Sequence, residues 1–139
     1  MKLRQFGIAL LWIGIHGSLG VAGAAGDGVD PAIAEAWLVQ IDSGNYSRSW
    51  KEASEYFRGA VSEKGWVDAL AGSRKPLGKL ISMRLAKTQN AQSLPGAPDG
   101  HYVVIQFDTS FSNKKSAVET VTFVREKDGR WKAAGYYIR

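Results

Sequence analysis

The sequence predicts an α+β domain in which about three N-terminal helices pack against a four-stranded antiparallel sheet. In the first half of the chain, apolar side chains recur every three or four residues, which is the spacing of one helix face. From residue 79 onward, apolar and polar side chains alternate, which indicates strands. Helices followed by consecutive strands, without internal repeats, are typical of an α+β domain.

The first helix is predicted over residues 31–43. Asp30 caps its free amides, Pro31 takes the first helical position, and Gly44 ends it. We expect its buried face to contain three apolar residues at four-residue spacing, namely Ile33, Trp37 and Ile41.

Two further helices are predicted before Pro76. One begins near Ser47 or Ser49, because Ser49 and Glu52 fit a capping box. The other begins at Ser62 and ends before Pro76, because the residue before a proline is disfavoured in a helix.

Four strands and one long loop fill the second half. The predicted strands cover residues 79–88, 101–109, 118–126 and 131–138, and the loop covers 90–100. Residues 127–130 form a hairpin between the last two strands, because Gly129 tolerates positive φ. Two registers are open. A two-residue turn sets Glu126 beside Trp131, whereas a three-residue turn with a glycine bulge shifts the pairing by one residue.

The chain opens with the three regions of a secretory signal peptide. Lys2 and Arg4 supply positive charge, residues 6–15 are uncharged and apolar, and residues 22–25 are small. We expect a signal peptide over 1–24, cleaved after Ala24, and a periplasmic or secreted protein; an uncleaved N-terminal anchor is the alternative. The apolar run is about half the roughly 20 residues of a membrane span.

Composition excludes several kinds of chemistry. The 139 residues contain no cysteine, which rules out disulfides, a thiol nucleophile and Cys-ligated zinc. Cleavage would remove His16 and leave His101 as the one imidazole, so a multi-histidine metal site within the mature chain is ruled out. The remaining single domain, 25–139, carries a net charge of +3 once Lys2 and Arg4 are removed from the +5 of the chain, too little to indicate nucleic-acid binding.

Two specific motifs are Leu-Pro-Gly-Ala-Pro-Asp-Gly at residues 94–100 and Gly-Tyr-Tyr-Ile-Arg at 135–139. Weaker ones lie at residues 36–38, 44–50, 74–78, 102–107 and 119–122. Together they resemble the bacterial family called domain of unknown function 4019, over nearly the whole mature chain. The resemblance implies an exported single domain and a cone of helices on a curved sheet, similar to nuclear-transport-factor-2-like folds. It implies no catalytic residues.

Three side chains are candidates for acid/base catalysis. His101 lies at a junction between loop and strand, where a general base could face a cleft. Asp108 and Glu119 lie near the ends of neighbouring predicted strands, where one carboxylate would raise the pKa of the other. Each also fits a purely structural role. His101 could be a partly exposed residue at the start of a strand, and the two carboxylates could be solvated or hydrogen-bonded to Thr109 and Thr120.

Aromatic side chains are the candidates for a ligand pocket. A cone-shaped fold would place them around the mouth of an apolar cavity, whereas the spacing of Trp50, Phe57 and Trp66 on helix faces favours packing in the core. The candidates are Trp50, Phe57, Trp66, Tyr102, Phe107 and Tyr137.

Five basic side chains and no acidic one lie between Asp68 and Asp99. They are Arg74, Lys75, Lys79, Arg84 and Lys87. Such a cluster predicts contact with an anionic surface or an acidic partner, and lysines that protect an edge strand are the alternative. Simple alternation along the first strand places Lys79 and Lys87 on the side of the apolar residues Ile81, Met83 and Leu85, and Arg84 on the opposite side.

These observations favour an exported module that binds an envelope protein or a small ligand and is not an enzyme. We expect no cofactor, no metal, no nucleic-acid partner and no transmembrane helix after cleavage. The alternative is an acid/base enzyme of the isomerase or dehydratase kind, with a carboxylate in an aromatic pocket.

Overall fold

A computed structural model describes residues 29–139, and the predicted signal peptide lies outside these residues. The chain forms helices followed by an antiparallel sheet, which confirms the α+β prediction. The elements are α1 (Pro31–Asp42), α2 (Tyr46–Lys51), α3 (Glu55–Ala60), α4 (Glu63–Ser73), a 3-10 turn (Lys75–Leu77), β1 (Leu80–Ala91), β2 (Tyr102–Phe111), β3 (Lys114–Arg125) and β4 (Trp131–Ile138). In this part of the chain no helix combines the length and the apolar character needed to cross a membrane.

Local side-chain caps set the starts of three helices. Asp30 accepts a hydrogen bond from the Ala32 amide at 2.9 Å and begins α1, as predicted. Ser62 accepts from the Gly65 amide at 3.0 Å and begins α4, also as predicted. Ser54 in the same way caps α3, a start that the sequence interpretation missed.

The predicted second helix is divided into α2 and α3, and the capping box at Ser49 and Glu52 is wrong. Ser49 lies inside α2, where its hydroxyl donates to the Tyr46 carbonyl at 2.6 Å. The same hydroxyl accepts from the Trp66 indole N–H at 2.9 Å. The Ser49 hydroxyl therefore makes a tertiary contact and does not cap a helix. The cap of the next helix, α3, is Ser54.

The buried face of α1 differs by one position from the predicted one. Trp37 and Ile41 are buried, but Ile33 is 43% exposed. The buried stripe begins at Ala34 and includes Leu38, so it follows the i, i+3, i+4, i+7 pattern, and Ile33 lies to one side of it.

The strands pair in sequence order, β1-β2-β3-β4, all antiparallel, in a sheet with β1 and β4 at its edges. The helices cover one face of the sheet, here called the inner face, where the hydrophobic core lies. Trp37 and Trp66 stack with ring centroids 6.3 Å apart, and Phe57 meets Trp66 edge-on at 5.0 Å. Trp37, Phe57 and Trp66 therefore belong to the core, as their spacing favoured.

A bulge in β1 overturns the predicted arrangement of its basic residues. Arg84 lies opposite Asp108 and Lys87 opposite Gln106, while Ala86 between them has no partner. The extra residue reverses the alternation, so Lys87 lies on the same face as Arg84. The prediction that Lys87 shares the face of Met83 and Leu85 is therefore wrong.

The last hairpin has the three-residue turn. The Glu126 amide donates to the Arg130 carbonyl at 2.8 Å, and the Gly129 amide donates back to the Glu126 carbonyl at 2.9 Å. Gly129 has a φ of 86°, as the glycine-bulge alternative requires. Of the two registers left open, the structure has the shifted one, with Arg125 opposite Trp131.

Gly78 joins the 3-10 turn to β1. Its backbone has φ 80° and ψ −152°, a region occupied essentially by glycine alone. A Cβ at this position would collide with the Ser112 hydroxyl in the β2–β3 hairpin. That hydroxyl accepts a hydrogen bond from the Lys79 amide at 2.9 Å, so the missing side chain allows the start of β1 to lie directly against the hairpin.

We therefore expect Gly78→Ala to lower the free energy of unfolding by about 1–3 kcal/mol from backbone strain, with the collision adding to it. Gly44→Ala is the control for positive φ, because Gly44 has a similar φ of 82° and an added Cβ there would meet nothing within 4 Å. Urea unfolding of both variants would check this. A loss at Gly78 no larger than the loss at Gly44 would contradict the role assigned to the close approach.

Candidate functional site

A carboxyl group lies inside the core on the inner face of the sheet. Glu119 on β3 lies opposite Phe107 on β2 and Ile138 on β4, and it is fully buried. The Tyr136 hydroxyl donates a hydrogen bond to its Oε2 atom. Among the described residues, no donor meets the other carboxyl oxygen, Oε1. A buried carboxyl with one free oxygen is the group in this structure that comes nearest to a catalytic acid or base.

The surroundings of Glu119 shift its protonation toward neutral pH. Burial raises the pKa of the Glu119 carboxyl from 4.5 to about 7, and the charge of Asp42 adds to the rise. The hydrogen bond from Tyr136 and the charge of Arg74 lower this pKa, but less than burial raises it. Burial and the neighbouring Glu119 also raise the pKa of Tyr136 well above its ordinary value. At neutral pH the carboxyl is therefore divided between its protonated and ionised forms.

A nearly buried ion pair influences the charge of Glu119. Arg74 donates to Asp42 Oδ1 from Nη2 at 3.0 Å and from Nε at 3.2 Å. It also donates from Nη1 to the Gly78 carbonyl at 2.6 Å, and its guanidinium lies 4.4 Å above the centroid of the Phe111 ring. The pKa of Asp42 is raised by burial, while Arg74 opposes the rise.

Arg74 is thus a core residue, and its predicted place in an anionic-binding surface is wrong. Only 3% of its side chain is exposed. The physical reason is that Asp42, the Gly78 carbonyl and the Phe111 ring satisfy the guanidinium inside the protein.

The structure does not bring the two candidate carboxylates together. Asp108 lies opposite Val118, one position away from the pair that Glu119 forms with Phe107, so the two carboxylates lie on opposite faces of the sheet. Asp108 is exposed and forms an ion pair with Arg84 at 3.3 Å. Asp108 and Glu119 therefore do not form a pair of carboxylates that shares a proton.

The third candidate, His101, lies just before β2 and is exposed. Within residues 29–139, its ring makes no hydrogen bond that would orient it as a base. No three His, Asp or Glu side chains of these residues are grouped as a metal ion would require.

The six aromatic pocket candidates are divided among different surroundings. Phe57, Trp66 and Phe107 are buried within the hydrophobic core, and Trp50 packs against its border. The other two lie on the outer face of the sheet. Tyr102 there donates to the Pro98 carbonyl at 2.5 Å, and Tyr137 lies opposite Thr120. These side chains therefore do not line one common pocket.

The remaining basic candidates lie on the edge strand β1 or in the segment that leads into it, with Lys75 in the 3-10 turn. Lys75, Lys79, Arg84 and Lys87 are exposed, and we call these four residues the basic edge. Arg84 pairs with Asp108, whereas the three lysines form no ion pair with any described residue. Two apolar side chains on β1 accompany them, Ile81 at 65% exposure and Leu85 at 42%.

Sequence reasoning missed Tyr136 and Asp42 as neighbours of Glu119. The alternation in β3 does carry a signal, because it places Glu119 on the side of the apolar Val121 and Phe123. A carboxyl on the core side of a strand requires a buried hydrogen-bond partner. The identity of that partner depends on the strand register, which the sequence left open.

The described domain corresponds closely to one known protein family. A family model with the description "Protein of unknown function (DUF4019)" matches residues 33–136, from the first turn of α1 to Tyr136 in β4. No curated protein matches the chain.

The buried carboxyl predicts a specific dependence of stability on pH. The pKa of Glu119 in the folded state lies above its unfolded value, so the folded state holds an extra proton between about 4.5 and about 7. Stability is full below this window and falls as the pH rises through it, by about 3 kcal/mol in total. Glu119→Gln keeps an acceptor for Tyr136 without titrating, and should remove most of the slope.

Urea unfolding between pH 5 and pH 8 would measure this. Glu35→Gln, at an exposed position on α1, is the matched control and should retain the slope of the unmodified protein. A Glu119→Gln protein that loses stability with pH as steeply as the control would contradict the assignment.

Proposed function

The chain belongs to the family described as protein of unknown function DUF4019, and from this premise we propose that it is a small exported module that binds an acidic protein partner through its basic edge. The observation that carries the proposal is the combination of exposed lysines and exposed apolar side chains along β1. Charged groups there would steer an acidic partner, and the apolar groups would supply contact area on binding.

Protection of the edge strand against unwanted pairing explains only some of the residues on this surface. Lysines on an edge strand do prevent unwanted pairing. That explanation covers Lys79 and Lys87, but it does not account for the exposed Ile81 and Leu85 between them. Exposed apolar side chains flanked by cations are the composition expected of a binding surface.

The small-ligand alternative has less support. Phe57, Trp66 and Phe107 pack within the core, so they do not offer walls to a ligand. The helices on one face of an antiparallel sheet are compatible with the nuclear-transport-factor-2-like cone that the family resemblance implies, and we retain that fold relation as part of the proposal.

A second candidate function, an acid/base enzyme, is favoured by Glu119. Its pKa of about 7 suits a general acid or base, and Tyr136 would position it. The fully buried position of Glu119 weighs against this function, because the carboxyl has no surface exposed to a substrate in this structure.

Export is the first part of the proposal to test, and it rests on the signal-peptide pattern at 1–24. Expressed in a bacterium with a periplasm, the full chain should appear in the periplasmic fraction with an intact mass lacking the first 24 residues. Ala24→Leu, which removes the small residue at the expected cleavage site, should retain the leader. A full-length mass of the unmodified chain in the membrane fraction would instead establish an anchor.

Charge reversal tests the basic edge itself. The mature protein should bind a fluorescent acidic peptide of nine residues with four glutamates, and Lys79→Glu/Lys87→Glu should weaken this binding roughly tenfold at low salt. Lys51→Glu/Lys127→Glu, at exposed positions outside β1, is the control with the same net charge and should weaken it far less.

Two outcomes would overturn the proposal. One is equal weakening by both double variants, which would indicate attraction by net charge alone. The other is binding to phosphatidylglycerol vesicles without binding to the peptide, which would identify a membrane surface as the partner.

A further inference from the structure

We propose that the acidic partner binds as an extended strand added to β1, with apolar side chains on the inner face and acidic side chains on the outer face. This inference rests on the proposed function and specifies how the basic edge would recognise its partner. It predicts a recognisable sequence pattern, in which apolar and acidic residues alternate.

The first support is the position of β1 at the edge of the sheet. β1 has twelve residues and is hydrogen-bonded only to β2 within the described part of the chain. Backbone amides and carbonyls on its other side are therefore available to an added strand. Strand addition uses these groups for affinity and the alternating side chains for specificity.

The second support is the separation of side chains between the two faces of β1. Met83 lies opposite Thr109 and Leu85 opposite Phe107, which places both on the inner face. The bulge at Ala86 brings the next cation onto the outer face. Without that bulge, Lys87 would share the face of Met83 and Leu85; with it, Lys87 joins Arg84 on the outer face. Beyond the bulge the inner face continues with the polar residues Thr88 and Asn90.

The third support is that each face lacks a complete set of neighbours. On the inner face, Leu85 remains exposed at the border of the core, although Met83 packs against it. On the outer face, Lys87 lies opposite the uncharged Gln106. An added strand would lie about 5 Å from β1, close enough for an apolar residue to cover Leu85 and for a carboxylate to pair with Lys87.

A second copy of this chain is a poorer occupant. If two β1 strands paired with their cationic stretches in register, Arg84 and Lys87 of one copy would face the same cations of the other. Like charges in adjacent strands destabilise the pairing. The bulge divides the regular register of β1 into Ser82 to Leu85 and Lys87 to Ala91, nine residues in all, and the test peptides are given this length.

The test compares two peptides of identical composition, each with five valines and four glutamates. One alternates valine and glutamate, and the other groups the glutamates at one end. The alternating peptide should bind the mature protein at least tenfold more tightly than the grouped one in fluorescence polarisation. Its binding should also slow amide hydrogen exchange across β1 without a matching change in β4.

A substitution on the inner face provides the second measurement. Leu85→Ser should reduce the preference for the alternating peptide, because one apolar contact is lost. Val39→Ser is the matched control, since Val39 is an exposed apolar residue on α1. Arg84 and Lys87 are unchanged in both variants, so electrostatic attraction to either peptide is retained.

The outcomes separate this inference from the proposed function. Equal affinity for the two peptides, with sensitivity to Lys79→Glu/Lys87→Glu, would overturn strand addition and leave the acidic-partner proposal standing. Binding of the alternating peptide without protection of β1 would also overturn strand addition. Binding of neither peptide at low salt would overturn both proposals.

Discussion

The buried guanidinium of Arg74 holds together the parts of this protein that are far apart in the chain. It pairs with Asp42 at the end of α1, donates to the Gly78 carbonyl before β1, and lies over the Phe111 ring at the end of β2. Removal of one partner of a buried ion pair leaves the other charge uncompensated, which strongly destabilises a fold. The path of the chain into the edge strand therefore depends on this side chain together with the close approach at Gly78.

The same contacts divide the basic segment of the sequence into two roles. Arg74 is inside, where it stabilises the junction of helices and sheet and acts on the charge of Glu119. Lys79 and Lys87 remain at the surface, beside exposed apolar side chains. The buried arginine and the exposed lysines are thus close together in the sequence. They lie in different environments, however, and their interactions respond differently to pH and salt. Salt screens the exposed lysines, whereas it has little effect on the buried groups.

The elements that follow from local interactions could be predicted, and those that need a distant partner could not. Asp30 and Ser62 start helices because each side chain caps an amide two or three residues away. Ser49 has an equally good local pattern, yet the indole of Trp66, 17 residues away, takes its hydroxyl. In β1, no local pattern of residue types indicates the bulge at Ala86. Simple alternation therefore assigned Lys87 to the wrong face.

The sequence by itself determined the order of helices and strands, the α+β class and the family, because caps, periodicity and short motifs are properties of contiguous residues. It also limited the chemistry, since a chain without cysteine has no thiolate to offer. Only the tertiary structure decided which charged groups are buried. Arg74 finds Asp42 across 32 positions and Glu119 finds Tyr136 across 17. Burial of a charge depends on such partners, which are brought together only when the helices pack on the sheet.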